Sequence, residues 1–246
     1  MQISVFLPCR LGSQRVPKKN TKPFAKFKHG LLELKLKQLL ESKLISKIYL
    51  SSNDDFVLDY AKSLNEQKII LHKRNEFLCS NKVSADELVA HALYLIRKDE
   101  ILWTHVTSPF FEASDYDEAI LSYKKALKQG FDSLMSVTAL KGFFWDKQTT
   151  INYDRKDKKW PPTQDTKPIY EVNSAIFLAN ANIYKKFKDR IGENPFFYEV
   201  DKIKGLDIDY KEDFEMAEMI YNARGGGVEY VEFKIFNLSP LKRSVA

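Results

Sequence analysis

Apolar residues fall along this chain in short blocks, separated by longer stretches where they recur every three or four positions. Ile3, Val5 and Leu7 open the series. Ile48 to Ser52, Ile69 to Leu71, Ile101 to Val106 and Ser133 to Thr138 follow as further strands, and the stretches 31–43, 54–64, 84–98 and 114–128 between them carry helical spacing. In the first of these helices Leu32, Leu36, Leu39 and Leu40 form one stripe with lysines on the other faces, and in the third Leu88, Ala92, Leu95 and Ile96 do the same. Both stripes are core. Strands alternating with amphipathic helices predict βαβ units and a mostly parallel sheet. Ser84 and Ser114 are the expected N-caps, Ser114 with Asp117 three residues on in place of the glutamate of a capping box.

The rhythm breaks from Ala139 to Tyr170. Phe143, Phe144, Trp145, Trp160, Pro161 and Pro162 crowd this stretch and no helical pattern crosses it. A long irregular excursion within a compact domain is usually functional, and aromatic anchors suit an interface. The pattern resumes at Ala175 to Ala179 and at Phe197 to Val200, then at Leu206-Asp207-Ile208-Asp209 and a helix near 211–223; alternation at 228–236 suggests one more strand.

With 246 residues, 44% of them hydrophobic, and no linker or low-complexity tract, the chain reads as one domain, 1–246. The net charge of +6 arises from 39 basic residues interleaved with 33 acidic ones, which favours local anion binding over a nucleic-acid surface. Cys9 and Cys79 have neither metal-type spacing nor a disulfide framework, so a reducing, cytoplasmic setting is expected. No apolar run approaches the roughly 18 residues that span a bilayer, and the N-terminus enters a strand without a signal-peptide layout.

Two places carry candidate chemistry. The first strand runs into a loop holding Arg10, Arg15, Lys18 and Lys19, punctuated by Pro8 and Gly12, where cations and backbone N–H groups can converge on phosphate; the plainer alternative is a solvated basic turn. Asp207 and Asp209 stand two apart in an extended context, so strand alternation puts both carboxylates on one face, as a Mg²⁺ site needs; the alternative is an exposed acidic turn before a helix, with Asp213 near its N-terminus. His29, His72 and His91 make no ligand set, and neither a Ser-His-Asp order nor a G-x-x-x-x-G-K-[ST] loop is present.

L-P-C-R-L-G-S-Q-R-V-P-K-K-N at 7–20 resembles the I-P-A-R-x-G-S-K-R-x-P-x-K-N signature of the acylneuraminate cytidylyltransferases. G-L-D-I-D-Y-K-E-D-F at 205–214 is similar to that family's x-x-D-I-D-x-x-x-D-L metal motif, T-H-V-T-S-P to L-Q-P-T-S-P, N-S-A-I-F to N-G-A-I-Y, S-S-N-D-D-F to V-S-T-D-D-E, and R-N-E-F-L-C-S-N to R-P-x-E-L-A-x-D. The resemblance implies a Rossmann-like three-layer α/β sheet, mostly parallel, with a dimerisation arm at 139–171. It implies cytidylyl transfer from CTP to a 3-deoxy-2-keto sugar acid of the sialic-acid type, in a homodimer. Arg10, Gly12, Ser13, Arg15, Lys19, Asn20 and Arg74 would bind nucleotide; Ser84 would face the base or only cap its helix, and Arg74 could instead be a surface residue. Arg10, Lys19, Asp207 and Asp209 would be catalytic, with Mg²⁺ on the two aspartates. His105, Thr107, Ser108, Gln164 and Asn173 would meet the sugar, and Lys147 would join them across the dimer. His105 replaces a glutamine and Ser174 a glycine. For His105, sugar contact, general base and a merely satisfied histidine all stay open. Transfer to the eight-carbon acid Kdo, a non-catalytic paralogue and a nucleic-acid-binding protein are the alternatives.

Overall fold

Strand β1 (Ile3–Pro8) divides its side chains between two cores. Ile3, Val5 and Leu7 enter one of them; Phe6 enters the other. That division is what strand alternation gives a central strand covered on both faces. A computed structural model describes residues 1–80 and 83–224. Helix α1 (Gly30–Glu41) leads to β2 (Lys47–Ser52), α2 (Asp55–Ser63) to β3 (Ile69–Lys73), and α3 (Ala85–Leu95) to β4 (Glu100–Trp103). Helix α4 (Ala113–Lys128), β5 (Ser133–Leu140), β6 (Ile169–Asn180), α5 (Ala181–Phe187), β7 (Pro195–Glu199) and α6 (Lys211–Ala223) follow.

The seven strands of the described residues are ordered β3-β2-β1-β4-β6-β5-β7. Among the described strands only β6 is reversed, pairing antiparallel with β4 and β5, while the remaining pairs are parallel. One face carries residues of α1, α4 and α6, among them Leu36, Tyr116 and Phe214; the other carries α3 and α5 through Val89, Ala92 and Tyr184. The three-layer, mostly parallel expectation therefore holds.

The structure corrects several local readings. Lys35, which sits with the other lysines off the leucine stripe of α1, is nonetheless fully buried beside Leu34 and Leu36. Ser114 is not the cap of α4: Glu112 precedes the helix, and its N–H donates to Asp115 Oδ2 at 2.8 Å. Asp117 instead accepts from Ser42 Oγ and from the N–H groups of Lys43 and Leu44, tying α4 to the end of α1. Strand β4 stops at Trp103, so His105 and Val106 lie on the turn beyond it. Strand β6 starts six residues before Ala175, because Ile169 to Val172 pair with the end of β5 even though they are largely exposed. The irregular stretch is thereby shortened to 141–168, with one 3₁₀ turn at Thr163–Asp165. Residues 206–209 join no strand ladder; the segment is tied by the Ile208 N–H donating to Thr107 C=O at 2.9 Å. The strand expected at 228–236 lies outside the described residues.

Candidate active site

Open parallel sheets place ligands beyond the carboxyl ends of their strands. Here the loops leaving β1 and β4, which are neighbours in the sheet, meet at that edge. Gly12 takes φ +87°, a left-handed conformation that suits glycine, and Lys18 also has positive φ, so the β1 loop curls back over its strand. The loop is clasped twice: Asn20 Nδ2 donates to Arg10 C=O at 3.1 Å, and Leu11 N–H donates to Asn53 Oδ1 at 2.9 Å. Arg10 Nη1 donates to Cys79 C=O at 2.9 Å.

Three cavities adjoin along this edge. One of about 510 Å³ lies between Gly12, Lys18, Asn20, Asp54 and Phe56. The next, about 680 Å³, shares Arg10, Ser13, Lys19 and Asn20 with it and adds His105, Thr107, Asp207 and Asp209. A third, about 580 Å³, shares both aspartates and is walled by Thr138, Asn173 and Gly205. The aspartates thus stand where two cavities meet.

Alternation around Ile208, which is fully buried, leaves Asp207 and Asp209 partly exposed even without a strand ladder. Asp209 Oδ1 pairs with Arg15 Nη2 at 2.8 Å and lies 3.6 Å from Lys19 Nζ. Lys19 also donates to Ile208 C=O at 2.5 Å. Burial lowers the Lys19 pKa against the pull of Asp209 and Asp207; the Tyr210 hydroxyl and then Asp209 raise that of Arg15, whose guanidinium sits 4.8 Å from the Tyr210 ring. Asp207 Oδ1 is buried with no hydrogen-bond partner among the described residues. Cations of the β1 loop and carboxylates of the 207–209 segment, far apart in sequence, are one cluster.

Asn173 owes its place to an irregularity. Between Met135↔Phe177 and Val137↔Val172 the register of β5 and β6 shifts, so Asn173 to Ile176 face Ser136 alone. Ser136 Oγ donates to Asn173 Oδ1 at 2.6 Å and accepts from the Ile176 N–H at 3.0 Å, while Asn173 Nδ2 donates to Thr138 Oγ1 at 3.2 Å. A Cβ on Gly205 would meet Thr138 Oγ1 and Asn173 Nδ2 inside 3 Å, so any side chain there would displace this hydrogen-bonded pair. Sequence reading missed Ser136, although a serine inside the apolar run 133–138 was the available signal.

Other expected residues divide. Arg74 is 2% exposed, which rules out a surface role; its Nε and Nη2 have no partner among the described residues, and burial lowers its pKa. Thr107 lines the middle cavity. Ser108 is buried behind it, its carbonyl held by Lys35 Nζ at 2.8 Å. Ser84 closes a capping box with Glu87 at the start of α3. Gln164 is exposed on the 3₁₀ turn and, like Ser84, lines none of the three cavities. Cys9 is buried and its thiol is pushed up to about 12, so it packs without reacting.

Known proteins resemble this chain in sequence and in fold. The chain is 27% identical over 223 residues to an N-acylneuraminate cytidylyltransferase of Escherichia coli O18:K1:H7, covering 88% of this chain and 51% of that protein. It is 21% identical over 224 residues to a pseudaminic acid cytidylyltransferase of Campylobacter jejuni serotype O:2, covering 88% and 94%. The chain therefore spans about half the length of the first relative and nearly all of the second. Among solved structures, CMP:2-keto-3-deoxy-manno-octonic acid synthetase complexed with CTP superposes with a TM-score of 0.64 at 11% identity, over 91% of this chain and 100% of the other. A 4-diphosphocytidyl-2C-methyl-D-erythritol synthase from Anaerococcus prevotii superposes with a TM-score of 0.61 at 13% identity, over 90% and 96%. Those likenesses are of fold. The cation loop, the 207–209 segment and the strands between them all fall within residues 4–235, which match the family model described as Cytidylyltransferase, and the chain belongs to that family.

Proposed function

We propose that this chain transfers a cytidylyl group from CTP to a sialic-acid-like, nonulosonic sugar acid, giving the CMP-sugar and pyrophosphate for surface glycan synthesis. One observation carries the reading: Arg15 and Lys19 converge on Asp209 beside the orphaned oxygen of Asp207, at the carboxyl edge of β1 and β4. This is a phosphate-binding set held ready against its own counter-charge. In the reaction the anomeric hydroxyl oxygen of the sugar bonds to the α-phosphorus, the bond to pyrophosphate breaks, and the hydroxyl proton is lost. Positioning and charge stabilisation supply most of such catalysis. Arg10, Arg15 and Lys19 bind the triphosphate, Asn20 keeps the loop closed beneath it, and Arg74, which lines none of the three cavities, adds to the positive field around Arg10. Asn173 and Thr107 face the sugar.

Asp207 and Asp209 suit Mg²⁺, which takes one or two carboxylates and completes its shell with water and phosphate oxygens. Among the described residues no cluster of three or more His, Cys, Asp or Glu offers another ion a full cage. Bound there, the ion would neutralise charge on the phosphates during attack. The reaction belongs in the cytoplasm, and the site is shared in a homodimer whose 141–168 arm brings Gln164 and Lys147 to the partner's sugar pocket.

The test is pyrophosphate release, crossing four nucleoside triphosphates with sialic, legionaminic, pseudaminic and Kdo-type acids. Turnover with CTP and a nine-carbon acid is expected; preference for the Kdo-type acid would move the substrate, and no turnover with any pair would favour the non-catalytic alternative. On the active pair, Asp209→Asn should lower kcat by about 10²–10³-fold. Near-wild-type turnover in that variant would eliminate the metal-site assignment.

A further inference from the structure

His105 leaves β4 two residues beyond Trp103, on the same side of the sheet, and the Trp103 indole N–H donates to His105 Nε2 at 2.9 Å. An indole nitrogen can only donate, so Nε2 must be an acceptor and the proton of the neutral ring sits on Nδ1. His105 Nδ1 has no hydrogen-bond partner among the described residues, and the ring lines the middle cavity with Thr107, Ser174 and the two aspartates.

Trp103 is in no position to turn away. It is 2% exposed, stands edge-on to Phe6 at 4.7 Å, and pairs across strands with Phe177. The Arg190 guanidinium caps both rings, 5.1 Å from Trp103 and 4.0 Å from Phe177. Burial, then Arg190, Lys19 and Lys35, oppose a charge on His105, with only Asp209 favouring one; its pKa is held down at about 3. With Nε2 engaged and Nδ1 protonated, the ring has no lone pair left for general-base work.

We infer that Trp103 is a positioning residue that fixes His105 as a neutral Nδ1–H donor to the sugar-side cavity, so that the sugar acid presents a hydrogen-bond acceptor there: a carboxylate, hydroxyl or acyl oxygen. The substrate half rests on the function proposed above; the tautomer half does not. Once a bound ligand excludes water from the cavity, a donor of this kind rejects a ligand with nothing to accept its proton, because the N–H is then left unpaired.

Long-range ¹H–¹⁵N spectra of imidazole-labelled full-length protein should show His105 protonated at Nδ1, unprotonated at Nε2, and not titrating down to pH 5. They are recorded without substrate, so the result stands whichever sugar acid the chain turns over. Trp103→Phe keeps the ring packing but removes the donor; the two tautomers should then mix. KM for the sugar acid should rise on the order of three- to tenfold, the worth of one hydrogen bond, with KM for CTP and kcat unchanged. His105→Gln, which can present an amide donor, should keep a lower sugar KM than His105→Ala. A wild-type spectrum with the proton on Nε2 overturns the assignment even if Trp103→Phe does not fold. A mixed tautomer in Trp103→Phe with unchanged sugar KM overturns the recognition role.

Discussion

Lys35 is wholly buried on α1, where its Nζ donates to Ser108 C=O, Phe111 C=O and the Tyr116 hydroxyl, and so anchors the turn between β4 and α4. Burial drags its pKa down to about 7, opposed in part by Asp115 and Asp207. In the unfolded chain a lysine titrates near ~10.4. Between about pH 7 and pH 10 the unfolded state therefore holds a proton that the folded state has released, and stability gains as pH rises through that window; below about pH 7 both states are charged and the burial penalty is complete. Denaturant melts of wild type and Lys35→Met at pH 6, 8 and 10 should show the balance moving toward wild type from pH 7 upward, and a pH-independent difference would refute the assignment. Single residues were unevenly legible. Arg15, Lys19, Asp207 and Asp209 could be picked out because charge clusters in sequence at each of two places. Lys35 could not, since a lysine at helical spacing reads as a solvated face, and only its three acceptors, contributed from 108–116, reveal otherwise. Trp103 and Arg190 were equally silent: both look like ordinary core or surface residues until the sheet brings them under His105.

At the scale of elements, helices read well because their apolar stripes survive folding: Leu32, Leu36 and Leu39 are all fully buried. Caps were harder. Ser84 and Ser114 look alike in sequence, yet only Ser84 has a glutamate three residues on to return the hydrogen bond. Ser84→Ala should lower unfolding free energy by about 1 kcal/mol. An unchanged denaturation midpoint would deny the cap, and a CTP titration on the same variant measures any nucleotide contact separately. Strand β6 was half visible. Ala175 to Ala179 form a buried run, whereas Ile169 to Val172 are ordered by pairing with β5 and not by burial, which leaves no apolar pattern to read. The register shift opposite Ser136 was hidden for the same reason, being a property of two strands that neither encodes alone.

At the scale of the molecule, the sheet order, with β1 flanked by β2 and β4, sets the β1 loop against the 207–209 segment, and the reversed strand β6 carries Asn173 to the same edge. The arm contributes nothing to the three cavities of its own chain, yet it exposes Trp145, Ile151 and Trp160. Exposed apolar side chains suit the interface proposed for the arm. Sedimentation equilibrium should give a homodimer at micromolar protein, and a concentration-independent monomer, unchanged by CTP, would remove the shared site. The chain's three indoles are also divided by place: Trp103 beneath the site, Trp145 and Trp160 on the arm, each about 5 Å from Arg155. The molecule thus carries its own optical reporters, a shielded blue-emitting one for events at the cavity that His105 lines and a quencher-accessible red pair for the arm, and replacing Trp103 by Phe should leave a fluorescence signal that follows the arm alone.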